Sequence, residues 1–298
     1  MSLQAFGGRF AAFSFVDRIT EIDGLRRVTG QFTISPQVSY FPVSLVAEAI
    51  GQLAAWVAMS HVDFTRRPVA ALAGDTRIFK SPQPGDTLEL EVDIESCDDQ
   101  AIVYRGRARV NQEVVLELLD TLGSMLDISQ FDEPDRLRAD FACLTGLGRP
   151  IGAFKGVPYP ALKPMVLTNT QEVVQAAHAS QVHEYALSVP AQAAYFEDHF
   201  PLRPVFPATL LLDALLHVAQ PVVEAAVNLT VQALRMTHVK VRAFTTPGTV
   251  LILFAETPIA VEGEPHTWCV KVGARSDGKT IAGARIYFSS TTSVENNP

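Results

Sequence analysis

Residues 195–220 read YFEDHFPLRPVFPATLLLDALLHVAQ. His199 follows an aromatic and acidic run, Pro204 and Pro207 lead into an apolar run, Asp213 stands inside that run, and His217 comes one turn later. A lone ionisable group in an apolar helix is costly unless it is paired or used. Histidine exchanges protons near neutral pH. A carboxyl in apolar surroundings has its pKa raised, so it can hold a proton and deliver it. The stretch therefore offers a base and an acid, and His199 with Asp213 is the first pair to test.

The elements that must position these groups repeat. Residues 13–22 and 27–34 read as strands around Asp23-Gly24, and 43–61 as a helix opened by Pro42 and apolar on almost every face. Residues 69–79, 87–96, 101–110 and 114–125 follow as strands, separated by turn residues such as Pro84-Gly85. Residues 132–164 read as a connector with a short helix over 137–147 and a solvated charged face over 132–140. The second half gives a strand at 183–189, a buried helix at 208–227, and strands at 231–244, 250–258, 267–275 and 280–289. Pro42 and Pro207 lie 165 residues apart, as do Glu48 and Asp213, and Pro84-Gly85 and Pro247-Gly248 lie 163 apart. The near-constant offset predicts an internal duplication. A helix apolar on all sides must be wrapped by its own strands, and two such units can join edge to edge.

Composition limits the function classes. A 298-residue chain with 48% hydrophobic and 19% charged residues can bury a large core. The net charge of −8 argues against a general nucleic-acid binder, and any acidic partner would need a local basic patch. Cys97, Cys143 and Cys269 are odd in number and far apart, which suits a reducing, cytoplasmic setting. No histidine or cysteine spacing suggests a metal site. The longest apolar run, 43–59, contains Glu48 and Gln52 and reads as too short for a membrane span.

His199-Phe200-Pro201 with Pro204-Val205-Phe206-Pro207, and Asp213 fourteen residues after the histidine, resembles the His-Phe-x-Gly-x-Pro-Val-x-Pro-Gly loop and carboxylate helix of the β-hydroxyacyl-thioester (acyl carrier protein) dehydratases. Glu48-Ala49-Ile50-Gly51-Gln52 resembles the Glu-Ala-x-x-Gln segment of the same family. Phe15-Val16-Asp17-Arg18-Ile19 resembles its opening strand, and Phe79-Lys80-x-Pro82 with Pro84-Gly85-Asp86 the later strand and turn. The likeness covers residues 10–128 and 180–290. The departures are Ile34 where the first half would carry the histidine, Leu202 and Ala208 for two loop glycines, and Val43 for the glycine in the first half.

The resemblance implies an α+β architecture: a double hot-dog, two repeats each with a long buried central helix wrapped by an antiparallel sheet. Residues 1–130 would form the first repeat, with the carboxylate and no histidine; 131–179 a connector; and 180–298 the histidine-bearing repeat. It implies dehydration of 3-hydroxyacyl thioesters to trans-2-enoyl thioesters in fatty-acid or polyketide-like biosynthesis. The acyl group would ride on phosphopantetheine from acyl carrier protein or coenzyme A, with no other cofactor. In the family the histidine of one unit works with the carboxylate of its partner unit, so the resemblance pairs His199 with Glu48. Gln52 would orient the carboxylate. Asp213 becomes a structural group bonded to His217. The start of the second helix, Pro207 and Ala208, would supply backbone N–H groups and a positive dipole end to the thioester oxygen. Arg66, Arg67, Lys80 and Arg203 are candidates for the carrier's basic patch. Two other readings stand beside this one: a hot-dog thioesterase, with His199 incidental, and a silent acyl-binding subunit. The chain could act as a monomer or a homodimer.

Overall fold

The computed structural model describes residues 12–149, 156, 161–164 and 182–291. Residues 1–11 and much of the expected connector lie outside them. The first half runs β1 (Arg18–Asp23), β2 (Arg27–Thr33), α1 (Val43–His61), β3 (Arg66–Ile78), β4 (Thr87–Cys97), β5 (Ala101–Val110) and β6 (Glu113–Asp127). Then come α2 (Pro134–Thr145) and β7 (Ala161–Pro164). The second half runs β8 (Val182–Ser188), α3 (Ala208–Val227), β9 (Val231–Val241), β10 (Val250–Glu256), β11 (Ile259–Ala260), β12 (Thr267–Ser276) and β13 (Lys279–Ser290).

All the strands join one 13-stranded sheet in the order β1-β2-β4-β5-β6-β3-β9-β13-β12-β10-β8-β7, with β11 on β12. The seam is the antiparallel pair β3–β9, from Leu72 opposite Lys240 to Arg77 opposite Arg235. Outward from it, β6, β5, β4 and β2 on one side match β13, β12, β10 and β8 on the other. Period-2 alternation sends Leu88, Leu90 and Val92 of β4, and Val270, Val272 and Ala274 of β12, into the core. There they meet Leu45, Val46, Ile50 and Leu53 of α1 and Leu210, Leu211, Leu215 and Val222 of α3. Gly106 lets α1 sit close on β5, because a side chain there would run into Ile50. Pro42 and Pro207 cap the two helices, as their positions predict. Both helices have the length and apolarity of a membrane span, and in this fold both are core elements.

Charge is used sparingly inside. Arg149 Nε donates to Asp17 Oδ1 at 2.7 Å, and Nη2 donates to the Ser14 carbonyl at 2.6 Å. The side chains of this pair are 1% and 2% exposed. At the seam, Asp75 accepts from Arg77 at 3.1 Å and from Arg235 at 2.6 Å. It thereby separates two arginines that face each other across β3 and β9.

The strand expected over 13–22 starts only at Arg18. Phe13 and Phe15 leave the ladder because their rings turn into the main core, against each other at 4.9 Å and, for Phe15, against Phe32 at 5.4 Å. The strand expected over 231–244 ends at Val241, and Ala243 and Phe244 turn toward a cavity. The connector helix begins at Pro134, earlier than expected. The expected solvated face fails at Asp132, which is buried against Arg67. Helix α1 is not sealed on all sides: Ala47, Glu48, Gly51, Gln52, Ala55 and Trp56 form a half-buried stripe.

Candidate active site

That stripe faces a cavity of about 210 Å³, closed on its other sides by β3, β5 and β6, the end of β9, the start of α3 and the loop carrying His199. Glu48, Gln52, His199, Ala208 and Thr209 all line it. The fold thus brings His199 and Glu48 to one chamber from opposite halves of the chain. Asp213 is not part of that wall.

His199 is held by a short backbone ladder. Its N–H donates to the Tyr195 carbonyl at 2.9 Å, and its own carbonyl accepts from Val205 N at 3.0 Å. The ring's Nδ1 lies 2.9 Å from the Val205 carbonyl. A carbonyl can only accept, so Nδ1 carries the hydrogen and Nε2 of the neutral ring keeps its lone pair. Phe13 packs edge-on against the imidazole at 5.3 Å and Phe200 stacks at 4.1 Å. Loss of solvation in this apolar collar pulls the histidine pKa below 6.5, against the opposing pull of the Glu48 charge. The imidazole is thereby kept neutral at neutral pH, the state a base requires.

Glu48 is fixed from both halves. Gln52, one turn along α1, donates to Oε1 at 2.9 Å, and the Thr209 hydroxyl in the first turn of α3 contacts Oε2 at 2.9 Å. A hydroxyl can accept as well as donate, so the Thr209 contact suits a protonated carboxyl too. Gln52 also accepts from Phe15 N at 2.8 Å and donates to the Phe13 carbonyl at 3.0 Å. Asp198 grips the same segment from the other side, accepting from Phe13 N at 2.8 Å and from the Ser14 hydroxyl at 3.4 Å. Residues 12–15 therefore strap the carboxylate helix to the histidine loop. Their aromatic content read as a strand, and no local pattern marked Asp198 or Phe13 as part of the site.

Asp213 sits in the mirror-image arrangement. Ser44, in the first turn of α1, lies 3.5 Å from its Oδ1, and His217, one turn on, lies 3.2 Å from Oδ2. Ile34, at the position matching His199, is fully buried. The Asp213 side chain is 1% exposed, and its hydrogen bond and charge push the His217 pKa up to about 9.

The four basic candidates separate. Arg67 lines the cavity, stacks its guanidinium 4.2 Å over Phe200 and pairs with Asp132 at 3.9 Å. Arg203 covers Phe244 at 4.6 Å and donates to Gln130 at 3.1 Å. Arg67 therefore borders the His199 chamber directly, and Arg203 reaches it only through Phe244, which lines it. Arg66 reaches the Met125 carbonyl at 3.5 Å. Lys80, just past the far end of β3, pairs with Glu113 and is not gathered with the others.

The ApeI-like family, described as ApeI dehydratase, matches residues 175–271. A 3-hydroxyacyl-[acyl-carrier-protein] dehydratase FabZ from Bacillus velezensis is 35% identical over 117 residues, covering 35% of this chain and 82% of that protein. The FabZ of Moorella thermoacetica is 32% identical over 129 residues, covering 39% of this chain and 90% of its own. Solved structures extend the likeness to the whole chain at the level of fold. The acyl-CoA thioesterase II TesB2 of Mycobacterium marinum superposes with a TM-score of 0.53 at 10% identity, over 93% of this chain and 96% of that one. A hot-dog protein from Alicyclobacillus acidocaldarius gives 0.51 at 13% identity, over 97% and 99%. With a curated relative matched over most of its length and the same fold throughout, this chain belongs to the 3-hydroxyacyl-[acyl-carrier-protein] dehydratase family and has the hot-dog fold.

Proposed function

We propose that the chain is a tandem of two hot-dog units, 1–130 and 180–298 joined by 131–179, that dehydrates 3-hydroxyacyl thioesters at one composite site. The supporting observation is that His199 and Glu48 line one cavity although they come from different halves. In this reading the neutral His199 takes the C2 proton on Nε2. The electrons move into the C2–C3 bond as the C3 hydroxyl leaves, and Glu48, protonated once the acyl chain has displaced water from the chamber, gives that hydroxyl its proton, releasing water. The free N–H groups at the start of α3, Ala208 foremost, face the thioester oxygen as it gains charge. Pro207 leaves Ala208 as the first residue able to donate there. Run backwards, the same groups hydrate an enoyl thioester.

The substrate arrives on the phosphopantetheine of acyl carrier protein or coenzyme A, and the chain itself needs no further cofactor. Arg67 and Arg203 are the cations placed to meet the carrier's phosphate or acidic surface. The setting is cytoplasmic.

Hydration of a trans-2-enoyl pantetheine thioester, followed by loss of its ultraviolet absorbance, tests the assignment. His199→Ala and Glu48→Gln are each expected to lose at least about 100-fold in kcat, while Asp213→Asn keeps activity. Full activity in either of the first two sinks the pairing. Release of free thiol in place of hydration would mark a thioesterase.

A further inference from the structure

The wall facing α1 carries two hydroxyls that the proposed reaction does not use. Tyr104 of β5 and Thr121 of β6 are cross-strand neighbours, and both line the cavity. Thr121 is 3% exposed, and its Oγ1 is buried with no hydrogen-bond partner among the described residues. The Tyr104 hydroxyl lies 3.3 Å from where a side chain on Gly51 would begin. Gly51 is one turn beyond Glu48, about 4.5 Å along the helix. A buried hydroxyl without a partner works against folding, and a chamber built only for alkyl chains would have no use for one.

The other half gives an internal comparison. Aligned at their turns, Asn111-Gln112 and Asp277-Gly278, the β5–β6 and β12–β13 hairpins set Tyr104 against Val270 and its cross-strand partner Thr121 against Ile286, and the 165-residue offset of the helices carries Gly51 to Leu216. The second half, whose Asp213 matches Glu48 but whose would-be histidine partner position holds Ile34, therefore closes the same three places with apolar groups. Hydroxyls, and a glycine that leaves them room, stand only where the cavity is.

We infer that Tyr104 and Thr121 select acyl chains bearing an oxygen, a carbonyl or hydroxyl, a few carbons beyond C3. The inference rests on the dehydratase reading and deepens it to a substrate class. The oxygen would accept from the Tyr104 hydroxyl or exchange a hydrogen bond with Thr121 Oγ1, which otherwise goes unpaired. A site built to hydrogen-bond its substrate discriminates against the analogue that lacks the group.

The test compares kcat/KM for 3-hydroxyacyl pantetheine thioesters of equal length, one all-alkyl and a series with a keto group moved along the chain. The wild type is expected to favour one keto position at least about tenfold, and Thr121→Val or Tyr104→Phe to lower that ratio about tenfold. Without ligand, Thr121→Val is expected to raise Tm, because it removes the orphaned hydroxyl. A wild type that favours the alkyl chain, a ratio unmoved by both substitutions, or a lower Tm for Thr121→Val overturns the inference. If no thioester is dehydrated, the proposed reaction fails on its own. The selectivity is then decided by calorimetric binding of the matching enoyl pantetheine thioesters, where the same ratios are required.

Discussion

At the scale of single residues, two histidines sit in opposite electrostatic settings. His199 is stripped of solvent, so its proton is lost at lower pH than an ordinary histidine's. The base form survives into mild acid, and kcat/KM is expected to hold level down to pH 6.5 and fall only below it, as a pH–rate profile would show. The Glu48 charge works against this shift. Glu48→Gln should therefore move the His199 titration, followed by NMR, further toward acid. His217 behaves in the reverse sense. Its folded pKa of about 9 lies above the 6.5 of the free side chain, so the folded state binds the extra proton between those values. Its contribution is complete below pH 6.5 and fades as pH rises through about 9. Wild-type Tm is expected to fall across that window more steeply than the Tm of His217→Gln. Half of the His217 side chain faces solvent, so the effect is modest.

At the scale of elements, each central helix aims a first-turn hydroxyl at the carboxylate of the other: Thr209 at Glu48 and Ser44 at Asp213. The reciprocity was partly readable beforehand. Ser44 and Thr209 fall in the first turns of the two helices the sequence predicts, but which carboxylate each meets depends on helix crossing, which spacing along one chain does not encode. Thr209→Val is expected to lower kcat roughly 3- to 10-fold, the worth of one hydrogen bond, with Thr209→Ser restoring it and Ser44→Ala leaving it unchanged. The two long helices were legible because each follows a proline and is apolar on almost every face, and most strands because burial on one face imposes a period. The β5 span 101–110 matches residue for residue. The strap at 12–15 was not legible, because aromatic residues satisfy a strand pattern and a side-chain cluster equally well. Nor was the open face of α1, since alanines and glycine look alike to a hydropathy count whether they pack or leave room.

At the scale of the whole molecule, residues far apart in the chain converge on the strap. Arg149, from the end of the first half's connector helix region, clamps Asp17 and the Ser14 carbonyl at the edge of the chamber. Removing one partner of a dry ion pair leaves a charge without compensation. Arg149→Met is therefore expected to cost about 3–5 kcal/mol in urea unfolding and to reduce activity by loosening Phe13 from His199. Asp75→Asn at the seam should cost less, about 1 kcal/mol, because both arginine side chains there are nearly half exposed to solvent. Its cost should shrink as salt screens their repulsion.

The seam has one more consequence. Strands β3 and β9 are held together by a covalent chain as well as by their ladder, so the chamber is assembled from both halves without a bimolecular step. An enzyme that completes its site by pairing separate subunits obeys mass action and loses specific activity on dilution below its dissociation constant. Here the second half is always at hand, and specific activity is expected to stay flat down to the lowest concentration an assay can reach.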